Sequence, residues 1–89
     1  MIVHIGWDVP VSLERVVAVL NARSALKSRD TANLIQQAKA EGRFTPCPEG
    51  EKAYVLLCDG GDAPLQVLAS AISPATLLKR LERPAWDWA

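Results

Sequence analysis

Short unbroken apolar runs alternate along this chain with segments whose apolar positions recur at helical spacing. Ile2-Val3-His4-Ile5 reads as a short strand closed by Gly6. Val9-Pro10-Val11 continues extended, with Pro10 confining it to an edge or a bend. After a turn at Ser12-Leu13-Glu14, Arg15-Val16-Val17-Ala18-Val19-Leu20 forms a strand rich in β-branched residues. Its continuous apolar run predicts burial on both faces, under a helix or a neighbouring subunit. Residues 21–27 are a connection. A helix starts near Ser28 or Asp30, either of which can accept hydrogen bonds from the first free backbone N–H groups. Thr31, Leu34, Ile35 and Ala38 share its apolar face, and Gly42 suits the left-handed residue that follows a helix end.

Phe44 to Glu51 holds two prolines and a glycine and reads as a loop or short edge strand. Lys52 to Cys58 is the strongest strand, apolar from Ala53 to Leu57. Asp59-Gly60-Gly61-Asp62 tolerates positive φ and turns the chain into a partner strand, Leu65 to Ala69. Ser73-Pro74 is an N-cap followed by proline at the first helical position. In the helix that follows, Leu77, Leu78 and Leu81 are expected to face inward. Lys79, Arg80 and Arg83 complement its C-terminal end, and Pro84 stops it. The pattern adds up to an α+β fold in one small domain, residues 1–83, followed by a C-terminal tail, 84–89. The expected architecture is about four mostly antiparallel strands with two helices.

Length sharpens this picture. A chain of 89 residues buries only about 60–65% of the surface its unfolded form exposes, so its core gains from a partner subunit. Oligomerisation is therefore expected. Hydrophobic residues at 49% and charged residues at 22% exclude a disordered polymer. The uncharged stretch from Pro64 up to Lys79 is broken by Gln66, serines and Pro74, so no membrane span is expected. With no secretory signal pattern and no cysteine framework, the expected location is the cytoplasm.

The formal net charge is zero, but it is unevenly placed. From Arg15 to Arg43 there are six basic side chains, Arg15, Arg23, Lys27, Arg29, Lys39 and Arg43, against Asp30 and Glu41 alone, a local balance of +4. Such a stretch can bind a polyanion through its local field, or can simply be a solvated helix surface.

Catalytic chemistry finds little support. His4 stands inside a strand with no cysteine or carboxylate near it in sequence, and a general base needs a positioned partner. Cys47 and Cys58 lack zinc-ligand spacing. Cys58 reads as a small core residue and Cys47 as an exposed loop thiol. Asp59-Gly60-Gly61-Asp62 lacks the alternating oxygen ligands of a calcium loop and is better read as a hairpin turn. Trp7, Trp86 and Trp88 are read as packing residues. No enzyme activity and no cofactor are expected.

Four segments then point to one family: Ile2-Val3-His4-Ile5-Gly6, Arg15-Val16-Val17-Ala18-Val19, Ala38-Lys39-Ala40-Glu41-Gly42, and Ala71-Ile72-Ser73-Pro74-Ala75-Thr76-Leu77-Leu78-Lys79-Arg80-Leu81. Their order and content resemble the bacterial extracellular matrix regulators RemA and RemB, small DNA-binding proteins that control biofilm matrix genes. The resemblance implies a ring-shaped homo-oligomer whose rim holds DNA through arginines. It picks out Arg15, which leads the second strand, and the loop Gly50-Glu51-Lys52, where Glu51 and Lys52 stand in place of paired arginines. An acid beside phosphates weakens their binding, and a lysine supplies a point charge without the arginine fork. Charge placement alone adds Arg29 and Arg43, near opposite ends of the middle helix. The expected DNA-binding set is thus Arg15, Arg29, Arg43 and Lys52. The alternative is an oligomeric scaffold of the same fold that has lost DNA binding, with Glu51 as the trace of that loss.

Overall fold

The computed structural model describes residues 2–4 and 10–82. The expectations for Gly6, Trp7, Arg83, Pro84 and the tail with Trp86 and Trp88 lie outside the described residues, as do those for the side chains of His4 and Leu81.

Two sheets form. Strand β1 (Ile2–His4) pairs antiparallel with β2 (Pro10–Ser12), with His4 opposite Pro10. A single 3-10 turn at Leu13–Arg15 leads into β3 (Val16–Asn21), which opens a mixed four-stranded sheet. That sheet has the order β3-β5-β6-β4, where β4 is Phe44–Thr45, β5 is Ala53–Leu57 and β6 is Gln66–Ser70. All its pairings are antiparallel except β4 with β6, which is parallel. Three helices accompany it: α1 (Ala22–Ala25), α2 (Arg29–Ala40) and α3 (Pro74–Glu82). The α+β architecture read from the sequence is the one observed, with α1 added.

The period-two geometry of a strand explains why β5 is apolar throughout. Ala53, Val55 and Leu57 point to one face, where they meet Val11, Leu68 and Leu77. Tyr54 and Leu56 point to the other, where they meet Ala22, Ala25, Ile35, Ala38, Val67 and Ala69. The sheet is thus covered by α3 and β2 on one side and by α1 and α2 on the other. All five residues of β5 are buried, and a strand in this central position has no polar face.

The helix ends follow their local chemistry. Ser28 caps α2, its Oγ accepting from the Thr31 N–H at 3.5 Å. Gly42, at φ +74°, ends it in the left-handed region, and the Arg43 N–H donates back to the Ala38 carbonyl at 2.7 Å. Ser73 caps α3, its Oγ accepting from the Thr76 N–H at 3.3 Å.

Four expectations are corrected. Residues 21–27 are not a plain connection: Asn21 accepts from the N–H groups of Arg23 (3.0 Å) and Ser24 (3.1 Å) and nucleates α1, which is too short to show a helical period. The β3 strand lies at an edge of the sheet and is not buried on both faces within the subunit. A bulge between Val16 and Ala18 makes Val17 the extra residue and leaves it 58% exposed. Leu78 does not face inward: it is 47% exposed, because Leu77 occupies the side of α3 that meets the sheet. Neither cysteine has the expected setting, although both are free thiols. Cys58 lies half-buried at the strand end with its Sγ accepting from the Gly60 N–H, while Cys47 packs partly against the α2-side core.

Candidate nucleic-acid interface

The basic segment that stands out in the sequence is divided by the fold. Arg15 closes the 3-10 turn at one end of the β3–β5 ladder, where its carbonyl accepts from the Cys58 N–H at 2.8 Å. Its Nε lies 2.6 Å from Asp59 Oδ1, with the arginine side chain 36% exposed. That Nε is buried and meets Asp59 as a close ion pair without a well-directed hydrogen bond. Asp59 is held from its other oxygen by Gln66 Nε2 at 3.3 Å. The first candidate cation is therefore already matched with a carboxylate at the surface. Replacing Asp59 by Asn keeps the shape and frees the charge. DNA binding should then tighten by about two- to five-fold per engaged Arg15, the equivalent of an exposed ion pair, and anisotropy titration of a labelled duplex would measure it.

Lys52 lies at the opposite end of the same ladder. Its N–H donates to the Ser70 carbonyl (2.8 Å), and its own carbonyl accepts from the Ala22 N–H (3.0 Å). The intervening strand separates Arg15 from Lys52 by about 20 Å, at roughly 3.3 Å per residue. The two do not share a rim within one subunit. Arg29 opens α2, is exposed and makes no ion pair among the described residues.

Arg43 has a different setting. Its Nε donates to Glu41 Oε1 (3.1 Å), Nη2 lies 3.0 Å from the same oxygen, and Nη1 donates to the Leu65 carbonyl. With its side chain 15% exposed, it braces the end of α2 against the approach to β6 and has little to offer a phosphate. Hydrogen bonds from Gln37 and then Arg43 hold the Glu41 carboxyl below its ordinary pKa. Lys39 stands over the Phe44 ring at 4.8 Å from its centre.

Sequence reasoning passed over Arg23. The capped turn of α1 brings it beside Lys52, and together with Asn21, Glu51, Ser73 and Pro74 they line a cleft of about 310 Å³. The signal was Asn21, an N-cap residue directly before Ala22-Arg23-Ser24-Ala25.

Glu51, the acid expected to weaken phosphate binding, is restrained. The Tyr54 hydroxyl donates to its Oε1 at 3.0 Å, and Tyr54 itself is buried. Burial first, then the hydrogen bond and the charge of Glu51, push the Tyr54 pKa up to about 12. A raised tyrosine pKa means that the folded state keeps its proton longer than the unfolded chain. The stability it contributes is therefore complete below about pH 10 and is lost as pH rises towards 12. Unfolding midpoints measured from pH 9 to 12 should fall over that window, and Tyr54→Phe should flatten the decline. This is the chain's one tyrosine, so its ultraviolet titration reads the site directly.

Among the described residues, no group of three or more His, Cys, Asp or Glu side chains is placed to hold a metal ion, and no helix is long and apolar enough to cross a membrane.

Fold and site together define a small α+β domain with Arg23 and Lys52 clustered at one end of its sheet. The family model for RemA-like proteins, extracellular matrix regulatory protein A-like, matches residues 2–81, and the chain belongs to that family. It is 30% identical over 81 residues to a candidate regulatory protein of Thermodesulfovibrio yellowstonii, covering 91% of this chain and 87% of that one. A candidate regulatory protein of Pseudothermotoga lettingae is 29% identical over 82 residues, covering 92% and 82%. The chain is thus placed among regulatory proteins.

Proposed function

We propose that this protein is a cytoplasmic DNA-binding transcriptional regulator of extracellular matrix genes that acts as a ring-like homo-oligomer and grips the DNA backbone. The observation that carries the reading is the placement of Arg15 and Lys52 at opposite ends of one sheet, in a member of the RemA-like family. A single copy then meets few phosphates at once. Repetition around an assembly multiplies those contacts through effective concentration. Three features of the subunit support assembly: β3 is an edge strand with no further partner among the described residues, and Val17 and Leu78 are exposed apolar side chains. The reading is of a binding protein without a catalytic role or a cofactor.

A second reading, an oligomeric scaffold without DNA binding, is favoured by the pairing of Arg15 with Asp59 and by Glu51 in the Lys52 loop. Light scattering with and without a DNA duplex separates the two. The regulator should show a mass several times 9.7 kDa and a further increase on adding duplex. A monomer at about 50 µM would contradict the ring, since assembly follows mass action. An oligomer whose mass DNA leaves unchanged would favour the scaffold.

A further inference from the structure

We propose that the cleft between Arg23 and Lys52 is a phosphate site, in which the two cations hold one phosphate group between them. The proposal deepens the DNA-binding reading, and its DNA arm rests on it.

The argument starts from an unusual choice of partners. Two cations and one carboxylate line the same cleft, and the expected outcome is an internal ion pair. None forms among the described residues: the ion pairs there are Arg15 with Asp59 and Arg43 with Glu41. The Glu51 carboxylate is instead bonded by the buried Tyr54 hydroxyl at 3.0 Å. A phenol anchored in the core thus holds one oxygen of the acid, and neither Arg23 nor Lys52 is in an ion pair with it.

The backbone that carries the two cations is also held in place. Asn21 fixes the α1 turn that carries Arg23 through two hydrogen bonds to its backbone. The 3.0 Å bond from the Ala22 N–H to the Lys52 carbonyl ties that turn to the start of β5, and the Lys52 N–H is tied to Ser70. Little backbone entropy is therefore lost when an anion bridges them. Ser73 and Pro74, which begin α3, complete the wall and add the partial positive charge of a helix N-terminus. With Glu51 included, the cleft carries a formal charge of +1 and suits a singly charged phosphodiester or a phosphate ion. Arg23 would restore in space the guanidinium fork that Glu51-Lys52 lacks in sequence.

Two arms test this and separate the sources of the phosphate. In the first, inorganic phosphate is titrated into the protein at constant ionic strength while amide resonances are followed. Saturable shifts should be confined to Arg23, Lys52, Ser73 and their neighbours, with chloride giving none. They should vanish in R23A/K52A and strengthen several-fold in E51Q. In the second, R23A is compared with wild type for duplex binding across a salt series. If DNA supplies the phosphate, R23A should weaken binding and reduce the log–log slope by roughly one unit per engaged cleft. Phosphate shifts with unaltered DNA binding in R23A would support the site with a free phosphate as its ligand. Phosphate shifts in a wild-type protein that binds no DNA would keep the site and overturn the regulator reading. Absence of saturable phosphate shifts in wild type and E51Q would overturn the site, whatever DNA does.

Discussion

Arg15→Ala should weaken duplex binding sharply and leave the oligomer intact. The substitution removes a cation and at the same time unmasks Asp59, which lies 2.6 Å from Arg15 Nε. Each engaged subunit would release one phosphate and present a repulsive acid in its place. The log–log salt slope should therefore fall by roughly one unit for every phosphate released. The fold should lose under about 1 kcal/mol, because the ion pair is partly exposed and screened. The backbone bond from the Cys58 N–H to the Arg15 carbonyl survives the change. In R15A/D59N the carboxylate is also gone, and binding should recover in part. Anisotropy titration gives the affinities, and light scattering confirms the assembly. Equal affinity in all forms would remove Arg15 from the interface.

Arg43→Ala should do the reverse, lowering stability with little direct effect on DNA. Its guanidinium satisfies the Leu65 carbonyl and a Glu41 oxygen at the junction of α2, β4 and β6. Loss of these charge-assisted bonds and of a partner for a half-buried carbonyl costs roughly 1.5–3 kcal/mol. For a domain of this size that lowers the melting temperature by on the order of 10 °C. Arg43→Lys should recover only part of it, since an ammonium cannot reproduce the fork. A wild-type melting temperature with lost DNA binding would instead return Arg43 to the interface.

The fold was legible wherever one local signal decided the structure. The apolar run of Ala53–Leu57 required a central strand, Ser28 and Gly42 bounded α2, and Ser73-Pro74 opened α3. What escaped depends on geometry that no short window contains. The bulge that expels Val17 is a register event between β3 and β5, and an apolar run reads the same with or without it. The candidate interface was legible in part. Arg15 and Lys52 were found by family pattern, and their separation follows from strand direction. The use of Arg43 within the fold depends on Leu65, 22 residues away, and the placement of Arg23 on the same cleft as Lys52 on a backbone bond between α1 and the start of β5. Charge counting treats all six basic residues of the segment alike. The fold instead ties down Arg15 and Arg43 and leaves Arg23 and Arg29 without ion pairs among the described residues.

The salt dependence of wild-type duplex binding tests the central claim most directly. Affinity measured by anisotropy from low to physiological salt should give a linear log–log plot. Its slope should be steeper than the roughly −0.9 to −1.8 that the one or two phosphate contacts of a single subunit would supply, because several copies engage the backbone together. A slope near zero, or no binding at about 50 mM salt, where electrostatic contacts are strong, would contradict a DNA-backbone regulator.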